Sequence, residues 1–342
     1  MPDKLRLLFD RFTLTLIAVV AAATLLPAHG DGAVFFKHLT SAAIALLFFM
    51  HGAKLSRQAI VAGATHWRLH IVVFCWTFVI FPLIGWALRP VLVPLLGMPL
   101  YIGVLYLCVL PGTVQSAIAF TSIARGNIPA AVCAASASSL LGIFITPMLL
   151  QWLLEANTSV LGSGSLLQAI GNISVEILLP FVLGHLMRPL LGRWMDSHRR
   201  LVRNVDQSSI LLVVYTAFSE SVIGGLWLQV DTVSLLWLFA VCAILLAFIL
   251  SLNMWSTRKM GFKREDEITI VFCGSKKSLA TGVPMAGVLF SAGAIGPVLL
   301  PLMLFHQIQL MVCAVLAQHY LRQQVAVPAA TAPAVPAAAG RS

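Results

Sequence analysis

Apolar runs of membrane-crossing length recur along this chain, separated by short segments where Lys, Arg, Gly and Pro collect. At about 20 residues per crossing, they fall near residues 12–28, 35–53, 69–89, 99–124, 128–153, 167–187, 208–227, 232–255, 268–290 and 297–319. The pattern predicts an all-α polytopic membrane protein with ten transmembrane helices. The first run also resembles a signal-peptide core, with Lys4, Arg6 and Arg11 ahead of it and PAHG behind. Its length is at the upper limit for such a core, so it is read as a span.

Two runs carry helix breakers at mid-span: Pro111-Gly112 in the fourth, and Gly274, Gly282 and Pro284 in the ninth. Backbone that unwinds in hydrocarbon must be shielded by protein or line a watery cavity. The two breaks also resemble each other. PGTVQSAIA at 111–119 and CGSKKSLAT at 273–281 share G-[ST]-x-[QK]-S. With five spans in each half, the second copy is inserted upside down relative to the first, an arrangement that points to a midplane binding site. The expected organisation is inverted repeat 1 at 12–155 and inverted repeat 2 at 156–322, with helices 4 and 9 broken and crossing. A cytoplasmic segment at 1–11 precedes them, and an Ala/Pro-rich tail at 323–342, read as disordered, follows.

Charge adds orientation. Only 10% of residues are charged, against about 25% in soluble domains, and the net charge is +10. No basic stripe with interleaved aromatics appears, which argues against nucleic acid. With the N-terminus inside, eighteen of the 22 Lys and Arg residues fall on the cytoplasmic side, only Lys37 and Arg89 fall outside, and Lys276 and Lys277 are left within the bilayer. Both termini are then cytoplasmic, in a plasma (inner) membrane. The six cysteines lie in apolar runs without CxxC spacing and read as buried thiols, neither disulfide-bonded nor metal-bound. No P-loop appears, and no Ser-His or His-Glu constellation has matching depth, so no enzyme, cofactor or metal is expected.

The residues PGTVQSAIAFTSIARGN at 111–127, the Ser-rich AASASSLLGIFITP that follows, and CGSKKSLATGVP at 273–284 resemble the bile acid:sodium symporter family, in a divergent branch. The resemblance implies ten helices in two inverted repeats, a core of helices 3, 4, 5, 8, 9 and 10, a panel of helices 1, 2, 6 and 7, and organic anions bound between them. Sodium-coupled members carry a carboxylate two residues before the ninth-helix glycine and a Gln-Asn pair after it. Here those positions are Phe272, Lys276 and Lys277, while Gln115-Ser116 stands for the Ser-Asn pair of the fourth helix, in a register left open before Asn127. An ammonium cannot share a sodium site. These departures argue against sodium coupling there and leave protons as the alternative.

Lys276 lies nine residues inward of Glu267, roughly 13 Å along a helix, in a hydrocarbon layer about 30 Å thick. A charge at that depth costs at least about 2.5 kcal/mol, so a carboxylate, an anion or loss of the proton must offset it. Neighbouring helical residues point about 100° apart, so one lysine is expected to face the site and the other to find carbonyls freed by the break. Lys277, aligned with Gln115, is favoured over Lys276. Glu176, near the midplane of the sixth span, is the favoured partner, and Glu220, nearer the outer end of the seventh, is the second candidate. The candidate binding set is Thr113, Gln115, Ser116, Asn127, Ser136, Glu176, Glu220, Ser275, Lys276, Lys277 and Ser278. His51, His185 and His306 read as hydrogen-bonded interface histidines.

The expected function is secondary transport of a small organic solute, an anion by the positive potential at the breaks, with alternating access of a core against a panel. The competing readings are a proton-coupled exporter or antiporter, and a regulator that keeps the fold without moving solute. Expected partners are the solute and membrane lipid. Oligomeric state is left open.

Overall fold

The computed structural model describes residues 11–54, 65–154, 166–223, 225 and 231–325. All their regular elements of secondary structure are helices. They are α1 (Arg11–Leu25), α2 (Gly30–Lys54), α3 (Trp67–Ala87), α4 (Arg89–Leu96), α5 (Met98–Val109), α6 (Gln115–Ile123), α7 (Ile128–Leu154) and α8 (residues 166–186), followed by α9 (Arg188–Ser197), α10 (Arg199–Ile223), α11 (Thr232–Lys259), α12 (Arg264–Gly274), α13 (Leu279–Leu289) and α14 (Ala292–Val325). Five helices are each long and apolar enough to cross a bilayer: α2, α3, α7, α11 and most of α14. The chain is a polytopic membrane protein, helical throughout the regular elements of its described residues. The segment 1–10, the interhelical stretch 155–165 and the tail 326–342 lie outside the described residues.

Both expected breaks are present. Pro111 disfavours helical geometry in the residue before it, and Leu110 is extended (φ −67°, ψ 153°), which ends α5. The second interruption separates α12 from α13. There Ser278 is the N-cap, its hydroxyl accepting from the Thr281 amide. α5 runs through the middle of the molecule, every residue from Leu100 to Leu110 being buried.

Packing falls into two groups. α2 packs against α8 and α10, and α10 against α1; α5 packs against α3 and α14, α14 against α11, and α7 against α6 and α12. α10 meets α13 and α14 where the groups adjoin. α2 and α8 approach very closely: a Cβ on Gly52 would lie 1.9 Å from Phe181 O, and one on Gly184 1.9 Å from Phe49 O. Only glycine fits at either position.

Three features differ from the expectation. α4 and α9 are helices where connections were expected, and α10 begins at Arg199 rather than at 208. The early start arises because Val202, Asp206, Ser209 and Val213 form a buried stripe at helical spacing, so the helix is held by packing well before its apolar run begins. A π-helical turn also interrupts α3 at Trp76–Ile80 and α8 at Ser174–Leu178.

Candidate functional site

The two breaks touch. The Ser278 amide donates to Pro111 O at 3.0 Å, and Gly112 donates to Ser138 Oγ at 3.0 Å. A Cβ on Gly112 would lie 3.0 Å from Cys273 O, which explains a glycine at the crossing.

Lys277 is fully buried. Its Nζ donates to the backbone carbonyls of Thr77 (2.9 Å), Cys108 (2.8 Å) and Leu110 (2.8 Å), and lies 4.2 Å from the centroid of Phe81. Each carbonyl is free for a local reason. In the π turn of α3 the Phe81 amide bonds Trp76 O, and Pro82 has no N–H to offer Thr77 O. At the C-terminus of α5 the last carbonyls have no partner in the next turn. There Leu107 O accepts from Leu110 N–H, Val109 O accepts from Thr146 Oγ at 2.9 Å, and Cys108 O and Leu110 O accept from Lys277. Gln309 completes the setting: its Oε1 accepts from the Lys277 amide and its Nε2 donates to Lys277 O, both at 2.9 Å.

Lys276, also fully buried, is held differently. Its Nζ makes no hydrogen bond and lies 3.9 Å from the centroid of Phe120 and 5.6 Å from that of Phe272. Cys273 and Cys313 lie close by. Phe272 is thus one wall of an aromatic clamp on the ammonium.

Beside the crossing lies a cavity of ≈ 370 Å³. α2 contributes Phe48 and His51 to its wall, and α8 contributes Ile177 and Phe181. α10 adds Arg203, Asp206 and Gln207, and α14 adds His306. The breaks and α7 supply Thr113, Gln115, Ser116, Ser136, Ser139, Ser278 and Thr281. At one end Asp206, only 1% exposed, accepts from Lys54 Nζ and Gln115 Nε2, both at its Oδ2 and both at 2.5 Å, while its Oδ1 has no partner. His51 Nε2 lies 3.5 Å from Gln115 Nε2. A carboxylate, an ammonium and an amide therefore join α10, α2 and α6 at this end.

The expected positions divide accordingly. Thr113, Gln115, Ser116, Ser136 and Ser278 line the cavity. Ser275 instead turns its hydroxyl onto Val271 O at 2.5 Å. Asn127 caps α7 by accepting from the Ala130 amide, and donates to Asp266 at 2.9 Å, away from the cavity lining. Neither Lys276 nor Lys277 lines the cavity, and the expected contact between Lys277 and Glu176 is not made: the ammonium is taken up by carbonyls, and Glu176 is half-buried in the π turn of α8. Glu220 lies near the end of α10 and is also absent from the cavity lining. Asp206 and Gln309 were missed altogether. Asp206 had a signal, since it sits in the helical stripe of Val202, Ser209 and Val213.

A profile of the SBF-like CPA transporter family matches residues 10–322. An uncharacterised protein of Pseudomonas aeruginosa is 59% identical over 329 residues, which cover 96% of this chain and 98% of its own. "Putative symporter YfeH" of Escherichia coli is 57% identical over 324 residues, 94% of this chain and 95% of its own. "Sodium/bile acid cotransporter 7" of Xenopus tropicalis is 29% identical over 318 residues, 91% of each chain.

Proposed function

The chain belongs to the SBF-like CPA transporter family, and from that premise we propose that it is a secondary active transporter of a small organic anion, with lysine ammonium groups standing where a coupling sodium would bind. It is a transporter rather than an enzyme. In this reading ten passes form two inverted repeats, with α5–α6 and α12–α13 as the paired broken passes. The group of α1, α2, α8 and α10 moves against the rest, and both termini are cytoplasmic in the inner membrane, as the Lys and Arg distribution favours.

The observation that carries this reading is the Lys277 ammonium in its cage of three carbonyls at 2.8–2.9 Å. It neutralises the carbonyl ends gathered at the crossing, the task a bound cation would perform. Solute chemistry follows from the cavity. Its walls combine apolar side chains with the hydroxyls of Ser136, Ser139 and Thr281. α6 starts at the cavity wall, where Val114 provides no side-chain cap, and such a start favours anions.

The test is ion dependence. A site that binds sodium gains stability as RT ln(1 + [L]/Kd), about 2.7 kcal/mol at a hundredfold excess over Kd. Purified protein is expected to unfold at the same temperature in sodium chloride and choline chloride of equal ionic strength. Proteoliposome uptake of a bile acid, the class of anion in the relatives' names, is expected to be equal in the two salts. Sodium-specific stabilisation or sodium-driven uptake would overturn the proposal.

A further inference from the structure

α9 follows α8 after a bend of 87°, made where Pro189 withholds an amide at the start of the helix. It lies across the direction of the preceding span, and its faces are distinct. Met195 is buried with Met50, Ala53 and Val202, at the end of α2 and the start of α10. Leu190 is 78% exposed and Trp194 48%, in line with Leu186 and Met187, which are also exposed. Arg193 in this helix and Arg200 at the start of α10 are exposed too, and His198 stacks on Trp194 with centroids 4.7 Å apart.

An apolar strip with a tryptophan, accompanied by exposed arginines and set across a span, is the pattern of a helix lying in the headgroup layer. The arginines select the lipid, because acidic headgroups attract basic residues at the membrane surface. α9 is also wired inward. Arg188 donates through Nη1 to Ala53 O at 3.1 Å and to Lys54 O, carbonyls at the C-terminus of α2. Lys54 in turn holds Asp206, which holds Gln115 at the cavity.

We propose that α9 is a lipid-sensing arm: Arg193 and Arg200 dock on acidic phospholipid headgroups, Leu190 and Trp194 seat in the acyl boundary, and this fixes the end of α2 that carries Lys54 against Asp206. The partner is the lipid surface itself. Its binding sets how firmly the Lys54–Asp206–Gln115 contact closes that end of the cavity.

The experiment is hydrogen–deuterium exchange on the full chain in nanodiscs of phosphatidylcholine, with or without phosphatidylglycerol. A nanodisc presents the same lipid on both faces, so the result is independent of membrane orientation, and neither solute nor sodium enters it. With the acidic lipid, α9 and the last turn of α2 are expected to exchange about thirtyfold more slowly, the factor matching roughly 1 kcal/mol for each of the two arginines at an anionic surface. Arg193→Gln/Arg200→Gln, at two exposed positions, is expected to abolish the difference, and Arg193→Lys/Arg200→Lys to retain it. Exchange in α9 that ignores the acidic lipid, or a difference that survives the glutamine variant, would overturn the arm. Protection confined to α9, with α2 unchanged, would overturn its link to the cavity.

Discussion

Replacing Lys277 by methionine keeps the length and much of the bulk of the side chain but removes the ammonium. Three charge-assisted hydrogen bonds to Thr77, Cys108 and Leu110 are lost. At roughly 1.5–3 kcal/mol each, they sum to about 4.5–9 kcal/mol. Removing the charge recovers its burial cost, about 2.5–3.5 kcal/mol on the insertion scale, leaving a net destabilisation of about 2–6 kcal/mol. Lys276 supplies the control, since its ammonium has no hydrogen bond and only the Phe120 and Phe272 rings for company. A desolvated cation–π contact contributes about 2 kcal/mol, so Lys276→Met nearly cancels against the same burial cost. Thermal unfolding of the detergent-purified protein in choline chloride reads both variants. At roughly 2–4 °C per kcal/mol, Lys277→Met is expected to lower Tm by about 4–24 °C, and Lys276→Met to leave it within a few degrees. Equal losses from the two variants, or a loss confined to Lys276→Met, would refute the assignment of the three carbonyls to Lys277.

Shortening the same residue empties the cage without filling it, so Lys277→Ala is expected to acquire sodium-dependent thermal stabilisation that the unaltered protein lacks; parallel melts in sodium and choline salts decide this. Because Glu176 does not touch Lys277, Glu176→Gln and Lys277→Met are expected to be additive in Tm within about 0.5 kcal/mol, and a larger coupling would show contact between them. Asp206→Asn and Gln115→Leu share one hydrogen bond, so their double-mutant cycle is expected to show a coupling of about 0.5–3 kcal/mol, and strict additivity would dissolve the contact. Gly52→Val places side-chain atoms in the space of Phe181 O and is expected to abolish the monodisperse size-exclusion peak, whereas Gly287→Ala, with open space at its Cβ, is expected to preserve it.

Much of the broken-helix geometry was legible because its causes are local. Pro111 acts on Leu110 whatever surrounds it, and Ser278 caps α13 through an amide three residues away. Thr113, Gln115, Ser116 and Ser278 lie at the cavity for the same reason, since the unwound segments form part of its wall. Asn127 was misplaced because its role depends on Asp266 and Thr269, residues of another helix that dock onto the turn after α6. Asp206 was read as part of a connection because Arg199, Arg200, Arg203 and Asn204 make its neighbourhood polar. Its burial comes from the contact of α10 with α2, and its partners Lys54 and Gln115 are 152 and 91 positions away.

By itself, the sequence determined that this chain is a polytopic helical membrane protein, where two of its passes break, and that two lysines lie at one of those breaks. Burial of apolar runs in lipid and the dihedral limits of proline are constraints that act along the chain, so they can be read along it. Only the tertiary structure decided what holds each ammonium. The Lys277 acceptors are backbone carbonyls 167 to 200 positions away. Backbone carbonyls carry no residue signature, and these are free only because a π turn with Pro82 and the end of α5 converge on the same point. From the sequence, freed carbonyls are expected for the lysine turned from the site, but Lys277 is expected to face the site with Glu176 as its partner; the structure puts Lys277 in the carbonyl cage. The fold offset the charge with the carbonyls left unpaired by its own irregular helices.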